Sequence, residues 1–452
     1  MKLPRIMIAS ASSGSGKTTV MCGLLKIFKR HMLKVSAFKC GPDYIDTMFH
    51  KNVLNTPSKN LDTFFTDADT TVALMAETAC TSDISVIEGV MGYYDGAGLK
   101  TLTASSYDVA HTTKTPVILI LNTHGMSLSA IASIKGFIDY IPESGIKGVI
   151  LNNTSKTVYE ALKPIIENNL GIYALGYIPK LSESILESRH LGLITPDEIK
   201  DLNKKIEKLA DILENTLDIN KIIKLSKQAP ALNIKPPKIE PLCKTGDIRI
   251  GIAMDNAFCF YYEDNLRLLE KLGAKLVYFS PLTDAYLPEN LHGCILGGGY
   301  PELYLDELSS NKTMLKSVYT AYTNNHIPFM AECGGFLYLH ETMEDLNNKV
   351  YPLVGSIQGS GIYTGHLSRF GYITLTPDIT EPSENTSSIK AHEFHYYDST
   401  NNGNYFTASK PFRDISYKCM HKTNFSLAGF PHLYYYSNLE YAKNFVKSCM
   451  HT

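Results

Sequence analysis

Two short stretches of this 452-residue sequence place reactive side chains where chemistry needs them. At 331–336 the chain reads Ala-Glu-Cys-Gly-Gly-Phe, directly after an apolar run at 327–331. A strand feeding a glycine turn, and then a helix over 336–343, would present Cys333 at the carboxyl edge of a sheet. Backbone N–H groups converge there, and a thiolate is both stabilised and exposed. A second strand, at 293–296, ends in Gly297, Gly298 and Gly299, a loop able to aim N–H groups at a developing oxyanion together with the N–H of Gly334. A thiolate nucleophile needs a base. Of 14 histidines, His392 and His395 in Ala-His-Glu-Phe-His-Tyr-Tyr and His432 in Gly-Phe-Pro-His-Leu-Tyr-Tyr have suitable settings, and residue chemistry alone does not choose between them.

The other stretch, 10–19, reads Ser-Ala-Ser-Ser-Gly-Ser-Gly-Lys-Thr-Thr between an apolar run and a helical one. Gly14, Ser15 and Gly16 let backbone N–H groups approach phosphate oxygens, with a helix N-terminus behind them. Lys17 would reach the β- and γ-phosphates of ATP, and Thr18, followed by Thr19, would offer its hydroxyl to Mg²⁺. Ala11 stands where the usual pattern begins with glycine. Two acidic clusters follow further strands: Lys-Cys-Gly-Pro-Asp-Tyr-Ile-Asp at 39–46 and Glu-Gly-Val-Met-Gly-Tyr-Tyr-Asp-Gly at 88–96. In a doubly wound sheet the strand ends face one crevice. That gathers Glu88 and Asp43 with Thr18 as metal ligands, and Tyr44, Asp46 and Asp95 around the group to be activated. The competing use of such acids is to cap the turns beside their glycines.

Holding these residues in place requires parallel sheets. Buried strands are expected at 5–9, 35–39, 84–88, 117–122 and 149–152, separated by segments long enough for crossover helices. Thr195, Pro196 and Glu198 open a helix whose buried stripe is Ile199, Leu202, Ile206, Leu209 and Leu213. A proline-rich connection follows, and α/β alternation resumes at 248–253. The expected fold is α/β: a P-loop parallel-sheet domain over 1–228, a linker at 229–246, and a second α/β domain over 247–452 that carries the thiol. The length is too great for one core. Lys plus Arg number 43 against 45 acidic residues, which gives no footing for nucleic acid. Nine cysteines without a Cys-x-x-Cys pair argue for reduced thiols and against a disulfide framework or structural zinc. No signal-peptide pattern or membrane-length apolar run is present, so a soluble cytoplasmic protein is expected.

The Ala-Glu-Cys-Gly-Gly and Gly-Gly-Gly-Tyr-Pro-Glu stretches and the late histidine resemble a class I glutamine amidotransferase domain of the cobyrinate and cobyrate synthase branch. The stretches at 88–96, 253–266 and 392–396 resemble the cobyrinate a,c-diamide synthase family more specifically, and the likeness runs over nearly the whole chain. The N-terminal half is similar to dethiobiotin synthetase, which also activates a carboxylate with ATP. The resemblance implies that Cys333 attacks L-glutamine with His432 as base, and that ammonia passes internally to the first domain. There ATP and Mg²⁺ would convert a carboxylate to an acyl phosphate that ammonia turns into an amide, the acceptor being the a- and c-acetates of the corrinoid cobyrinic acid. It also leaves room for a homodimer, and places His392 and His395 in a structural or domain-interface signature. One departure stands out: Tyr434 occupies the place of the glutamate in the wider His-x-Glu pattern, which leaves a Cys333–His432 dyad as one reading. The same architecture serves nickel sirohydrochlorin in coenzyme F430 synthesis, and hydrogenobyrinate. A P-loop ATPase switch with an inactive amidotransferase module is a reading of another class, against which the presence of Cys333 and His432 stands.

Overall fold

A computed structural model describes residues 1–181, 202–244, 246–324, 327–378, 387–423 and 426–451. The chain divides into two compact units, 1–237 and 238–452. The division falls inside the expected linker. Its first part belongs to the first unit, because the Leu232 N–H donates to the Met1 carbonyl (2.8 Å) and the buried Arg5 guanidinium takes the Pro230 carbonyl (2.8 Å). A buried guanidinium needs many acceptors, and an extended proline-rich segment has carbonyls to give.

The strands of the first unit are β1 (Arg5–Ser10), β2 (Val35–Cys40), β3 (Ser58–Leu61), β4 (Ile84–Glu88), β5 (Val117–Asn122), β6 (Ile146–Asn152) and β7 (Tyr173–Ile178). They form one sheet in the order β3-β2-β4-β1-β5-β6-β7, with every pairing parallel. Alternation along a strand sends side chains to opposite faces. Accordingly Ile6 and Ile8 enter one apolar core while Met7 and Ala9 enter the other, so helices cover both faces. The helix Lys17–Arg30 leaves the phosphate loop and packs on Leu202–Thr216. On the latter Leu202, Ile206, Leu209 and Leu213 are buried as the stripe requires; the expected helix start at Thr195, Pro196 and Glu198, with Ile199, lies outside the described residues.

The second unit starts with β8 (Ile248–Ala253), β9 (Ala274–Phe279), β10 (Gly293–Leu296) and β11 (Phe329–Glu332). Short strands follow: β12 (His340–Glu344), β13 (Val350–Pro352), β14 (Ile357–Tyr363), β15 (Arg369–Pro377), β16 (Ile389–His395) and β17 (Tyr397–Ser399). The last are β18 (Phe406–Ser409), β19 (Ser416–Cys419), β20 (His421–Lys422), β21 (Leu427–Gly429) and β22 (His432–Leu433). The central sheet runs β20-β21-β11-β10-β8-β9, parallel apart from β20. An antiparallel sheet, β19-β18-β15-β16-β22, brings in the segment with His432, and a four-stranded sheet β13-β12-β14-β17 lies beyond. One expectation is corrected here. The helix after Cys333 spans only Gly334–Tyr338, and His340–Glu344, read as helical, is a strand. His340 is buried between the Phe336 carbonyl (3.0 Å) and the Ser399 hydroxyl (2.6 Å), and these tertiary partners override the local helical spacing.

Candidate active site

In the first unit the phosphate loop joins β1 to the helix Lys17–Arg30 through Gly16, whose φ of 94° is left-handed and open to glycine at little cost. A Cβ there would meet the Asn152 amide at 2.7 Å, the same amide that donates to the Ser15 carbonyl (2.9 Å). Lys17 Nζ donates to Ser10 Oγ (2.8 Å) at the start of its own loop and to the Met91 carbonyl (2.6 Å) in the loop after β4. Burial, then the nearby Lys39, pulls its ammonium down to about 8.

The ends of β2 and β4 contribute a buried charge network. Thr18 Oγ1 donates to Glu88 Oε1 (2.6 Å), and Lys39 Nζ bridges Glu88 Oε1 (3.0 Å) and Asp46 Oδ2 (2.5 Å). His50 Nε2 stands 3.5 Å from Glu88 Oε2. Burial opposes charge on both carboxylates, but Lys39, His50 and Thr18 hold Glu88 below the usual range, while burial and then Glu88 push Asp46 well above it. Two acids whose environments drive them apart can divide the work, one as a fixed anion and the other as a proton carrier. Burial works against the charge on Lys39, yet Asp46 and Glu88 outweigh it and hold the ammonium above its usual range.

The other expected acids are turned to local structure. Asp43 caps the helix Tyr44–Asn52, its Oδ1 accepting from the N–H groups of Ile45 (3.0 Å) and Asp46 (3.1 Å). Asp95 Oδ2 accepts from the Gly92 N–H (2.9 Å). Tyr44 is buried at the first turn of its helix. Thr18 and Glu88 thus set hard oxygens side by side beside the phosphate loop, with Glu88 Oε2 buried and lacking a hydrogen bond, which suits Mg²⁺. Among the described residues no three acidic, histidine or cysteine side chains form a ready cage. Sequence reasoning gave no role to Lys39 or His50. A lysine inside a fully buried strand was the available signal for the first; nothing local marks the second.

In the second unit β11 is buried at every residue and flanked by β10 and β21. Cys333 follows it with φ 48° and ψ −105°, a strained turn that lifts a side chain above the sheet, as a nucleophile elbow does. Its N–H donates to the Gly429 carbonyl (2.9 Å), and its carbonyl accepts from the Leu337 N–H (3.0 Å), which fixes the turn on both sides.

His432 arrives from β22, directly opposite His392 of β16. Its ring rides over Gly298, where a Cβ would meet His432 Cε1 at 2.4 Å, so the glycine is needed for the close approach. Burial disfavours the imidazolium, but the Cys333 sulfur and the Glu332 carboxylate beside it push it up to about 10. Glu332 Oε2 lies 3.6 Å from His432 Nδ1. His395 sits apart from this pairing, donating or accepting at the Tyr397 carbonyl (2.6 Å) and stacked on Phe430 at 3.9 Å. Tyr434 points its hydroxyl at Asp264 Oδ2 (3.1 Å). Asn265, next to Asp264, clamps the same strand by donating to the Leu433 carbonyl (2.8 Å) and accepting from the Tyr435 N–H (2.9 Å).

The glycine loop is partly committed. The Gly297 N–H donates to Tyr261 OH (2.8 Å), which in turn donates to the Ala253 carbonyl, so this amide does not face the thiol as expected. Gly334 and Gly299 come close together: a Cβ on Gly334 would stand 3.3 Å from Gly299 N.

Residues 6–193 match the CobQ/CobB/MinD/ParA nucleotide binding domain, and 249–423 match the CobB/CobQ-like glutamine amidotransferase domain. The chain is 38% identical to the cobyrinate a,c-diamide synthase of Caldanaerobacter subterraneus, over 98% of each protein. It is 38% identical to that of Clostridium acetobutylicum over 98% of this chain and 99% of the relative. With the synthase of Listeria innocua it shares 40% identity over 87% of this chain and 86% of the relative.

Proposed function

The chain belongs to the cobyrinate a,c-diamide synthase family, and from that premise we propose that it amidates the a- and c-acetate carboxyls of cobyrinic acid in cobalamin biosynthesis, using ATP and L-glutamine. The observation that carries the reading is one chain holding both a phosphate loop with its lysine aimed along the loop and a strained cysteine paired with a buried histidine.

In the second unit Cys333 gives its proton to His432 and its sulfur attacks the side-chain carbonyl carbon of glutamine. The N–H groups of Gly334 and Gly299 are the donors best placed for the oxyanion that forms. As the intermediate collapses the carbon–nitrogen bond breaks, His432 returns the proton to the leaving nitrogen, and ammonia departs from a thioester. Water, deprotonated by His432, then releases glutamate and the free thiol.

In the first unit the corrinoid carboxylate attacks the γ-phosphorus of ATP, giving an acyl phosphate and ADP. Lys17 follows the charge on the transferring oxygens. Ammonia attacks the acyl carbon, phosphate leaves, and the amide forms with loss of a proton. Asp46, held up by burial and by Glu88, is the group suited to take it. Thr18 and Glu88 would hold Mg²⁺, which supplies positive charge to the phosphate oxygens. Each amide consumes one ATP, one glutamine and one water. Among the described residues no helix is long and apolar enough to cross a membrane, and the nine cysteines are free thiols, which supports a cytoplasmic setting.

The test is an ATP- and glutamine-dependent assay against purified cobyrinic acid, hydrogenobyrinic acid and nickel sirohydrochlorin, read by mass. Two successive losses of about one mass unit per amide on cobyrinic acid are expected. Turnover of nickel sirohydrochlorin with cobyrinic acid untouched would replace the acceptor and leave the chemistry in place.

A further inference from the structure

In the wider amidotransferase pattern the acid that orients the catalytic histidine lies two residues after it, and here that residue is Tyr434. We propose that Glu332, the residue immediately before the nucleophile, is the positioning carboxylate for His432, so that one strand end carries both the thiol and the acid while the base comes from another strand. The inference rests on the glutaminase reading above.

Three features of the geometry support it. Glu332 ends the buried β11 opposite Gly429 of β21, and only Phe430 and Pro431 separate that glycine from His432. The β11–β21 pairing therefore fixes the acid beside the start of the short segment that leads to the base on β22. The carboxylate also makes two contacts with the histidine segment: Oε1 accepts the Leu433 N–H (3.2 Å) and Oε2 faces His432 Nδ1 (3.6 Å). With Nδ1 turned to the acid, Nε2 is the nitrogen left for the sulfur, the tautomer a cysteine nucleophile requires. Finally, Tyr434 is engaged elsewhere, with its hydroxyl on Asp264 and its ring edge-on to Tyr262 at 5.0 Å.

The remaining titratable groups near His432 do not offer a competing anion of the same kind. Cys333 is its reaction partner. His392, opposite it on β16, is held down to about 3 by burial and then by His432 itself, and His395 is held down to about 4 by burial. Glu393 on the same strand is raised by burial and is bonded to the Tyr417 hydroxyl, with Lys410 (3.8 Å) and Arg369 (4.0 Å) beside it.

Glu332→Gln separates positioning from mere support, because the amide oxygen can still accept the Leu433 N–H. Glutamine-dependent synthesis should fall about 10⁴-fold, the scale on which replacing a triad carboxylate by its amide acts. Ammonium-dependent synthesis should be unchanged. Labelling of Cys333 by a glutamine-analogue electrophile should need a higher pH to reach half its maximal rate, and Glu332→Asp should recover at least about a tenth of the wild-type rate. A second readout is free of turnover: in a Cys333→Ala background the NMR titration midpoint of His432 should move down when Glu332→Gln is added. Wild-type labelling in Glu332→Gln, equal loss in Gln and Asp variants, or an unmoved His432 midpoint would overturn the proposal. Retention of glutamine-dependent synthesis by Cys333→Ala would instead overturn the glutaminase reading beneath it.

Discussion

The two reactive centres solve opposite electrostatic problems. Beside the phosphate loop, charge is already present and balanced: Lys17 and Lys39 face Glu88 and Asp46, all brought to neighbouring ends of parallel strands. Around Cys333 the charge is confined to His432 and Glu332, and the groups beyond them are kept neutral. His392 and His395 are driven far below their usual range by burial, and burial with Asp255 pushes Cys259 up to about 12. Phosphoryl transfer starts and ends with polyanions, so fixed charge lowers its barrier without reorganisation. Thiol acyl transfer needs its charge kept on the nucleophile and its base. A dry, neutral shell confines that charge to one sulfur, one imidazole and the amides that receive the oxyanion.

The broadest expected effects, seen with either nitrogen source, come from removing fixed charge in the first unit. Lys17→Ala should cut diamide formation by about 10³-fold or more, and Glu88→Gln by about 10²-fold, with glutamine and ammonium salts alike, since both residues serve the carboxylate activation that either nitrogen source requires. Glutamine hydrolysis measured alone should persist. Normal ammonium-dependent turnover in Lys17→Ala would remove the phosphate loop from the chemistry and end the comparison.

In the second unit the losses should depend on the nitrogen source. Cys333→Ala and His432→Ala should each depress glutamine-dependent synthesis by at least about 10³-fold while ammonium-dependent synthesis stays within about twofold of wild type. His395→Ala should label at Cys333 at nearly the wild-type rate, because its ring is tied to the Tyr397 carbonyl and Phe430 rather than to the thiol. Slow labelling in His395→Ala with normal labelling in His432→Ala would exchange the two assignments.

What could be read from the sequence follows how local each feature is. The phosphate loop was legible because strand, glycines, lysine and helix are contiguous, and β1, β2, β4, β5 and β6 because continuous apolar runs in a parallel sheet need little context. β3 was not, since Ser-Lys-Asn-Leu is a polar edge strand whose pairing with β2 is a tertiary fact. Glu332 was visible beside the cysteine, but its partner lies 100 residues further along and meets it only through β21. The acidic signals divided: Glu88 and Asp46 converge on Lys39, whereas Asp43 and Asp95 cap turns, a distinction that spacing does not encode.

A subtler contrast lies in stability against pH. His432 is raised in the fold to about 10 from an ordinary value near 6.5, so its contribution is fully present below pH 6.5 and is lost as pH climbs toward 10. Lys17 is lowered to about 8 from 10.5, so the cost of burying its charge is full below pH 8 and is relieved between pH 8 and 10.5. Hydrogen exchange followed separately in the two units would compare each variant with wild type. The difference between wild type and His432→Ala should shrink as pH rises from 7 to 10 in second-unit peptides. The difference between Lys17→Met and wild type in first-unit peptides should shrink over pH 8 to 10.5. Parallel slopes would mean that one of these groups does not carry the charge assigned to it.

The smallest effect is expected where the wider pattern would have placed the largest. Tyr434 holds the position two residues after the base, yet its hydroxyl donates to Asp264 on the helix Glu263–Lys271, and its phenol cannot supply the negative charge that an imidazolium would favour. Tyr434→Phe removes one buried hydrogen bond to a carboxylate while keeping the ring that packs on Tyr262. The unit should lose about 1–3 kcal/mol of stability, because Asp264 forfeits a donor in a buried setting. The labelling rate of Cys333 should stay within about twofold of wild type at every pH, since the clamp from Asn265 still holds the strand that carries His432. Calorimetry and electrophile labelling on the same preparation separate the two outcomes. A large drop in labelling with little change in stability would return the orienting role to this position, through Asp264 and the tyrosine hydroxyl as a relay, and would count directly against Glu332.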